Sequence, residues 1–314
     1  MRMAIFACQR PLRTLAQLLT FPSERASARW SGELIMRAMA VLALLLAAGC
    51  EGADSSKTSS ATPEPPVTFD GAMVTEAAAR LAHGERLTRV LGCRGCHGKA
   101  LQGELWDDEP KGYGVTWASN LTTAIPAMTE AELRALLTKG VHPRRRDLWV
   151  MPSELFQHLQ ENDVAALVAY LRSMAPAGKP SPEPLLGPRA IAEIKSGKIK
   201  PAAALVPELK DRRPPDLGRE HELGRYVTSV TCAECHGPQL KGVEGDTPDL
   251  IVAGGYSRAE FERLITQGVP TGNRKLKPLM QSVARSRFSQ LTPNERDAVY
   301  AYLKRLAERP NDQD

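Results

Sequence analysis

Apolar residues recur at i, i+3, i+4 spacing in two segments of the chain that match each other without a gap. Thr129–Val141 places Leu133, Leu136 and Leu137 on one helical face, and Ser257–Val269 places Phe261, Leu264 and Ile265 on the same face. Each segment opens with a hydroxyl residue followed three positions later by glutamate (Thr129 and Glu132, Ser257 and Glu260), which predicts a capping box. Each closes on a glycine, Gly140 or Gly268, where a left-handed C-cap belongs. A second pair of helices is predicted over Leu159–Arg172 and Leu291–Lys304, the latter started by Thr292, by Pro293 at the first helical position and by Glu295 two residues on. Further helical runs, Glu76–Val90 and His221–Val230, stand upstream in each half. The chain is therefore an internal repeat of small helical units, an all-α fold. The intervening Pro176–Leu217, rich in Pro and Lys, contains one short helical stretch, Pro188–Lys195, and reads as a linker.

Composition narrows the class. The 314 residues are 42% hydrophobic but only 5% aromatic, with 24 Gly and 24 Pro, which disfavours a large β-sandwich. The formal charge of +5 sits mostly at the N-terminus, where residues 1–49 hold six Arg against Glu24 and Glu33. The near-neutral remainder excludes a nucleic-acid binder. After Arg37 the run Ala38–Ala48 is apolar, too short for the ~20 residues that span a bilayer, and ends in Ala47-Ala48-Gly49-Cys50. This segment resembles a bacterial lipoprotein signal, which implies export, lipidation of Cys50, and anchoring at the periplasmic face of the inner or outer membrane. Residues 1–49 are then the signal, with 1–35 either a long leading region or upstream of a true start at Met36. Residues 50–74, rich in Ser, Thr and Pro, are expected to be a flexible tether.

The cysteines carry the chemistry. Beyond Cys8 and Cys50, four remain, in Cys93-Arg94-Gly95-Cys96-His97 and Cys232-Ala233-Glu234-Cys235-His236. C-x-x-C-H is the attachment signature of c-type haem: two thiols reach the two vinyl groups of one porphyrin, and the adjacent histidine ligates its iron. A thioredoxin-like pair, a zinc site or a disulfide are the competing readings. The two copies share a following glycine and apolar residue (Gly98 and Leu101, Gly237 and Leu240), and this repetition in an exported chain favours two covalently bound haems c.

A six-coordinate haem needs a ligand opposite the histidine, and methionine raises its potential. Met280 is the one methionine after Cys232, in a segment expected to be an extended loop between the two repeated helices. Met151 stands at the matching place in the first half, 129 residues earlier. Both can alternatively be core gap-fillers, but position and repetition favour ligation. Met128 and Met174 read as packing, His142 and His158 as weaker ligand candidates, and His83 and His221 as surface or helix residues. Arg274, Lys275, Lys277, Arg285 and Arg287 flank Met280, and Arg144–Arg146 precede Met151; a basic rim of this kind would steer an acidic partner.

This order of elements and motifs resembles two class I cytochrome c domains in tandem, over about 75–175 and 218–309, joined by the linker 176–217. The resemblance implies that the carbonyl of Pro248, in Thr247-Pro248-Asp249-Leu250, accepts a hydrogen bond from Nδ1 of His236. In the first half Ala118-Ser119-Asn120-Leu121 stands there instead, after a loop about eleven residues longer in which Trp106, Tyr113, Trp117 and Asn120 either cover the haem edge or simply pack. That loop resembles those of cytochrome subunits of membrane-bound bacterial alcohol or gluconate dehydrogenases. With His97 and Met151 on one iron and His236 and Met280 on the other, no coordination site is open. The expectation is an electron carrier rather than an enzyme, exchanging single electrons with a dehydrogenase, an oxidase or another cytochrome. A dihaem cytochrome c peroxidase and a haem-based sensor are the alternatives.

Overall fold

The computed structural model describes residues 65–309; the signal segment, Cys50 and most of the tether lie outside them. The first half begins with α1 (Ala77–Val90) and the single-turn α2 (Cys93–Cys96), and continues through strands β1 (Gln102–Glu109) and β2 (Gly114–Asn120). It is completed by α3 (Leu121–Ala124), α4 (Glu130–Lys139), α5 (Ser153–Phe156) and α6 (Glu161–Ser173). The intervening segment supplies β3 (Leu185–Leu186), α7 (Pro188–Lys195) and α8 (Ala202–Glu208). The second half holds α9 (Glu222–Val230), α10 (Ala233–His236), α11 (Arg258–Gln267), α12 (Pro278–Ser286) and α13 (Pro293–Ala307).

The helix signals read from the sequence operate as hydrogen bonds. Thr129 with Glu132, Ser257 with Glu260 and Thr292 with Glu295 each close a capping box, at the starts of α4, α11 and α13. Gly140 and Gly268 end α4 and α11 in the left-handed conformation, at φ 66° and 67°. In both halves the first helix crosses the last at a glycine. A Cβ on Gly84 would lie 2.1 Å from the Ala166 carbonyl oxygen, and one on Gly224 would lie 2.2 Å from that of Ala298. Only a residue without a side chain lets the backbones of α1 and α6, or α9 and α13, approach that closely.

Three sequence expectations are corrected. The fold is mostly helical rather than all-α, because the longer loop of the first half is a β-hairpin, β1 pairing antiparallel with β2 across a turn near Lys111 and Gly112, with a register shift between Leu105 and Asp107. β3 adds two residues to its outer edge at Gly114, where a Cβ would lie 2.0 Å from the Leu185 carbonyl oxygen. The intervening segment is also packed rather than free. Asn120 Nδ2 donates to the carbonyls of Ala177 (2.7 Å) and Lys179 (3.0 Å), and α8 lies against α4 and α5. Finally, the last residues assigned to the tether enter the interior: Phe69 is buried and its ring meets that of Tyr226 at 5.3 Å.

The two halves share one continuous apolar core and exchange reciprocal contacts. Two residues after Gly84, Arg86 reaches the buried Glu295 of α13 at 2.8 and 3.0 Å. Two residues after Gly224, Tyr226 donates to the buried Asp163 of α6 at 2.7 Å. Asp163 and Glu295 are counterparts in the repeat, so the first helix of each half sends one side chain to a buried carboxylate on the last helix of the other. That is the reciprocity expected of a two-fold arrangement. The same carboxylates hold the incoming chain: Asp163 accepts from the Phe69 amide at 3.1 Å and Glu295 from the Asp70 amide at 2.9 Å.

Candidate functional site

Each C-x-x-C-H segment is one helical turn. The amide of His97 donates to the Cys93 carbonyl at 2.8 Å, and that of His236 to the Cys232 carbonyl at 3.0 Å. A turn of this kind puts the i and i+3 thiols on one face, with the histidine directly after them. All four cysteines are unpaired. Burial pushes the Cys93 thiol up to about 12 and those of Cys96 and Cys235 to about 11, and raises Cys232 as well. These are neutral thiols. A thioredoxin-like pair works through a thiol with a lowered pKa, the opposite shift. Nor do the pairs converge as a zinc site requires: among the described residues no three His, Cys, Asp or Glu side chains are grouped to hold a metal ion.

The histidines are held identically. His97 Nδ1 donates to the Ser119 carbonyl and His236 Nδ1 to the Pro248 carbonyl, both at 2.8 Å. With the proton fixed on Nδ1, the lone pair rests on Nε2. Burial lowers both pKa values against the opposing effect of that hydrogen bond, so both rings are neutral donors. The geometry that delivers the two carbonyls is duplicated. Leu101 and Leu240 are fully buried and adopt positive φ, 59° and 62°, rare for leucine. The Gly103 amide returns to the His97 carbonyl at 2.9 Å, and the Gly242 amide to that of His236 at 2.8 Å. The chain then leaves and comes back: Leu121 N donates to Leu101 O, and Leu250 N to Leu240 O, both at 2.9 Å. The hairpin β1–β2 is an insertion within this excursion. Histidine and acceptor are 22 residues apart in the first half and 12 in the second, a difference of ten.

Met151 and Met280 are both half-buried and pack against the core. Met151 leads into α5, after Val150 in a left-handed conformation at φ 63°. Met280 is not on an extended loop; it lies in the first turn of α12, which Lys277 precedes and Pro278 begins. Met128 is buried. His142 turns its Nδ1 back to accept the amides of Arg144 (3.1 Å) and Arg145 (3.0 Å). Burial and the nearby Arg213 and Arg225 bring His158 down to about 4. His83 is a helix residue, in α1, and is buried, its Nε2 2.8 Å from Asp163. In the hairpin, Asn120 and Tyr113 are spent on packing: Asn120 holds the segment at 177–179, and the Tyr113 hydroxyl donates to Glu193 under Arg189. The basic residues around Met280 are not one rim. Lys277 pairs with Asp246 at 2.6 Å, Arg274 stacks over Tyr256, and Arg287 is nearly buried.

Residues 222–307 match the family described as Cytochrome c, and residues 79–171 match that described as Cytochrome C oxidase, cbb3-type, subunit III. These matches support a c-type cytochrome. The chain is also similar to a nicotinate dehydrogenase subunit of Pseudomonas putida, at 25% identity over 259 residues, 74% of this chain and 20% of that protein. It therefore spans about a fifth of the relative's length.

Cytochrome c segments imply covalently bound haem c, and two matched segments are consistent with two such groups. The residues present fit that cofactor. Each motif presents two unpaired neutral thiols on one turn and an imidazole with its Nδ1 proton committed. Val141 and Val269, at the same place after Gly140 and Gly268, are 51% and 41% exposed. Apolar side chains left uncovered at matching positions are what an apolar macrocycle would cover. Sequence reasoning placed Arg287 in a basic rim and missed its buried position; the signal for it is a charged residue where the first copy of the repeat carries the buried Leu155.

Proposed function

We propose that the chain is a dihaem c-type cytochrome of two tandem domains, passing single electrons between redox partners at the periplasmic face of a membrane. The observation that carries this reading is the duplicated hydrogen-bonded frame, in which each C-x-x-C-H histidine commits Nδ1 to a carbonyl 2.8 Å away. When bound, haem c supplies the one-electron ferric/ferrous couple. The protein supplies attachment through Cys93 and Cys96, and through Cys232 and Cys235. His97 and His236 offer Nε2 to iron, and the carbonyls of Ser119 and Pro248 fix the ring orientation and strengthen its donation. Met151 and Met280 would each supply a thioether to the iron of their own half, which would leave no position open to substrate. The helical shell excludes water and so limits the reorganisation that accompanies a change of charge.

Similarity to part of a dehydrogenase supports a role as the cytochrome component of a dehydrogenase or respiratory complex. Among the described residues no helix is long and apolar enough to cross a membrane, and the lipid on Cys50 is assigned as the anchor. The test is an optical redox titration of the matured protein followed by peroxide. Two low-spin haems of high potential, inert to peroxide, are expected. A high-spin haem that reacts with peroxide would remove Met151 or Met280 as a ligand and make the protein a peroxidase.

A further inference from the structure

Between the two C-x-x-C-H turns lies one ion pair that belongs to neither the repeat nor the ligand set. Arg287 follows α12, and its side chain is 11% exposed. Its Nε donates to the carbonyl of Val90 at 3.2 Å, at the end of α1. A Cβ on Gly92, the residue before Cys93, would lie 2.7 Å from its central carbon. On the other side Nη1 donates at 2.7 Å to Glu234, which is inside the second motif and adjacent to Cys235. One guanidinium thus touches the approach to the first motif and the interior of the second. Nη2 is buried without a partner.

The repeat makes this pair conspicuous. The counterpart of Arg287 is Leu155, a buried core residue, and that of Glu234 is Gly95. The pair is therefore single, and it stands at the junction of two otherwise duplicated sites. Charge in a desolvated junction is poorly screened by salt, so it acts on nearby centres more strongly than surface charge does. Oxidation leaves a haem one unit more positive. A neighbouring cation opposes that and raises the potential, and an anion lowers it.

We propose that Arg287 and Glu234 form a shared electrostatic bridge that sets the midpoint potentials of both haem sites together. The proposal rests on the dihaem reading above. Arg287 acts here as a positioning and tuning residue that touches neither iron. In the balanced pair the two opposite effects largely offset, and substitution of either partner exposes the other.

The test is redox potentiometry of the full holoprotein at high ionic strength, after haem has been counted per chain. Arg287→Gln should shift both midpoints down, Glu234→Gln should shift both up, and Arg287→Lys, which retains the charge, should leave both close to the parent. A parent protein with fewer than two haems would overturn the dihaem reading and the bridge with it. Two haems whose potentials do not move, move singly, or shift the same way in both Gln variants would overturn the bridge alone. So would an Arg287→Lys protein that drops as far as Arg287→Gln, because Arg287 would then be a structural clamp. Should either Gln variant fail to assemble, the Arg287→Lys potentials and the remaining variant decide the matter by the same signs.

Discussion

The two halves solve the same problem with different means. In the second half the chain returns from His236 to its acceptor carbonyl in 12 residues, through a tight bridge between Val243 and Thr247. In the first half it takes 22, with a hairpin standing in the gap and a third strand from the intervening segment leaning on it. Yet the acceptor distance is 2.8 Å in both. What is fixed is the pair of anchors, the left-handed Leu101 or Leu240 and the amide that returns to its carbonyl. Whatever lies between those anchors can be lengthened, because loop length costs little once the ends are held.

The comparison extends to the reciprocal carboxylates, and the largest expected effects are there. Asp163 accepts from a backbone amide, from Tyr226 and from His83, whereas Glu295 accepts from two backbone amides, those of Asp70 and Thr292, and pairs with Arg86. Replacing either by alanine strands buried partners, and urea denaturation should show a loss of roughly 3–5 kcal/mol. Equal losses in the two variants would match the reciprocity of the halves; a near-neutral effect at one would break it. The helix crossings come next. Gly84→Ala and Gly224→Ala each force a Cβ into a carbonyl of the facing helix, and each should cost roughly 1–3 kcal/mol by the same measurement.

A smaller, pH-dependent difference separates Glu154 from its counterpart Ser286. Burial lifts the Glu154 carboxyl to about 7, and one of its oxygens has no partner. Its folded pKa is thus raised above the unfolded value, so the native state holds the proton more tightly. Stability is lost as pH rises from the ordinary carboxylate range through about 7. Glu154→Gln should flatten that decline and exceed the parent by roughly 1–2 kcal/mol at pH 8, with no gain at pH 4. An identical pH profile in parent and variant would remove Glu154 from the account. The smallest effect is expected at Ser119. Only its carbonyl is used, so Ser119→Ala should change stability by under about 0.5 kcal/mol and leave the spectrum of the first site unchanged.

Much of this is legible in the sequence because its signals are local. A capping box needs only residues three apart, and α4, α11 and α13 start where Thr129, Ser257 and Thr292 predict. The C-x-x-C-H turns are equally local. The hairpin is not legible: Gln102–Glu109 is largely polar and half-exposed, so it lacks the alternation that marks a strand, and its pairing depends on residues from both ends of the excursion. The sequence suggests an extended loop at Met280 from its place between the two repeated helices, yet Pro278 stands at the first position of a helix, where proline is an opener. Asp163, Glu295 and Arg287 are invisible as a set, since each acts on a residue far away in the chain or in the other half.

The central claim is that the duplicated frame holds two covalent haems in one chain. Intact-protein mass spectrometry of the haem-loaded protein under denaturing conditions tests it most directly. The account predicts two haems retained per chain, falling to one when Cys93 and Cys96, or Cys232 and Cys235, are replaced by alanine. A single haem in the parent, or haem released by denaturation alone, would contradict it.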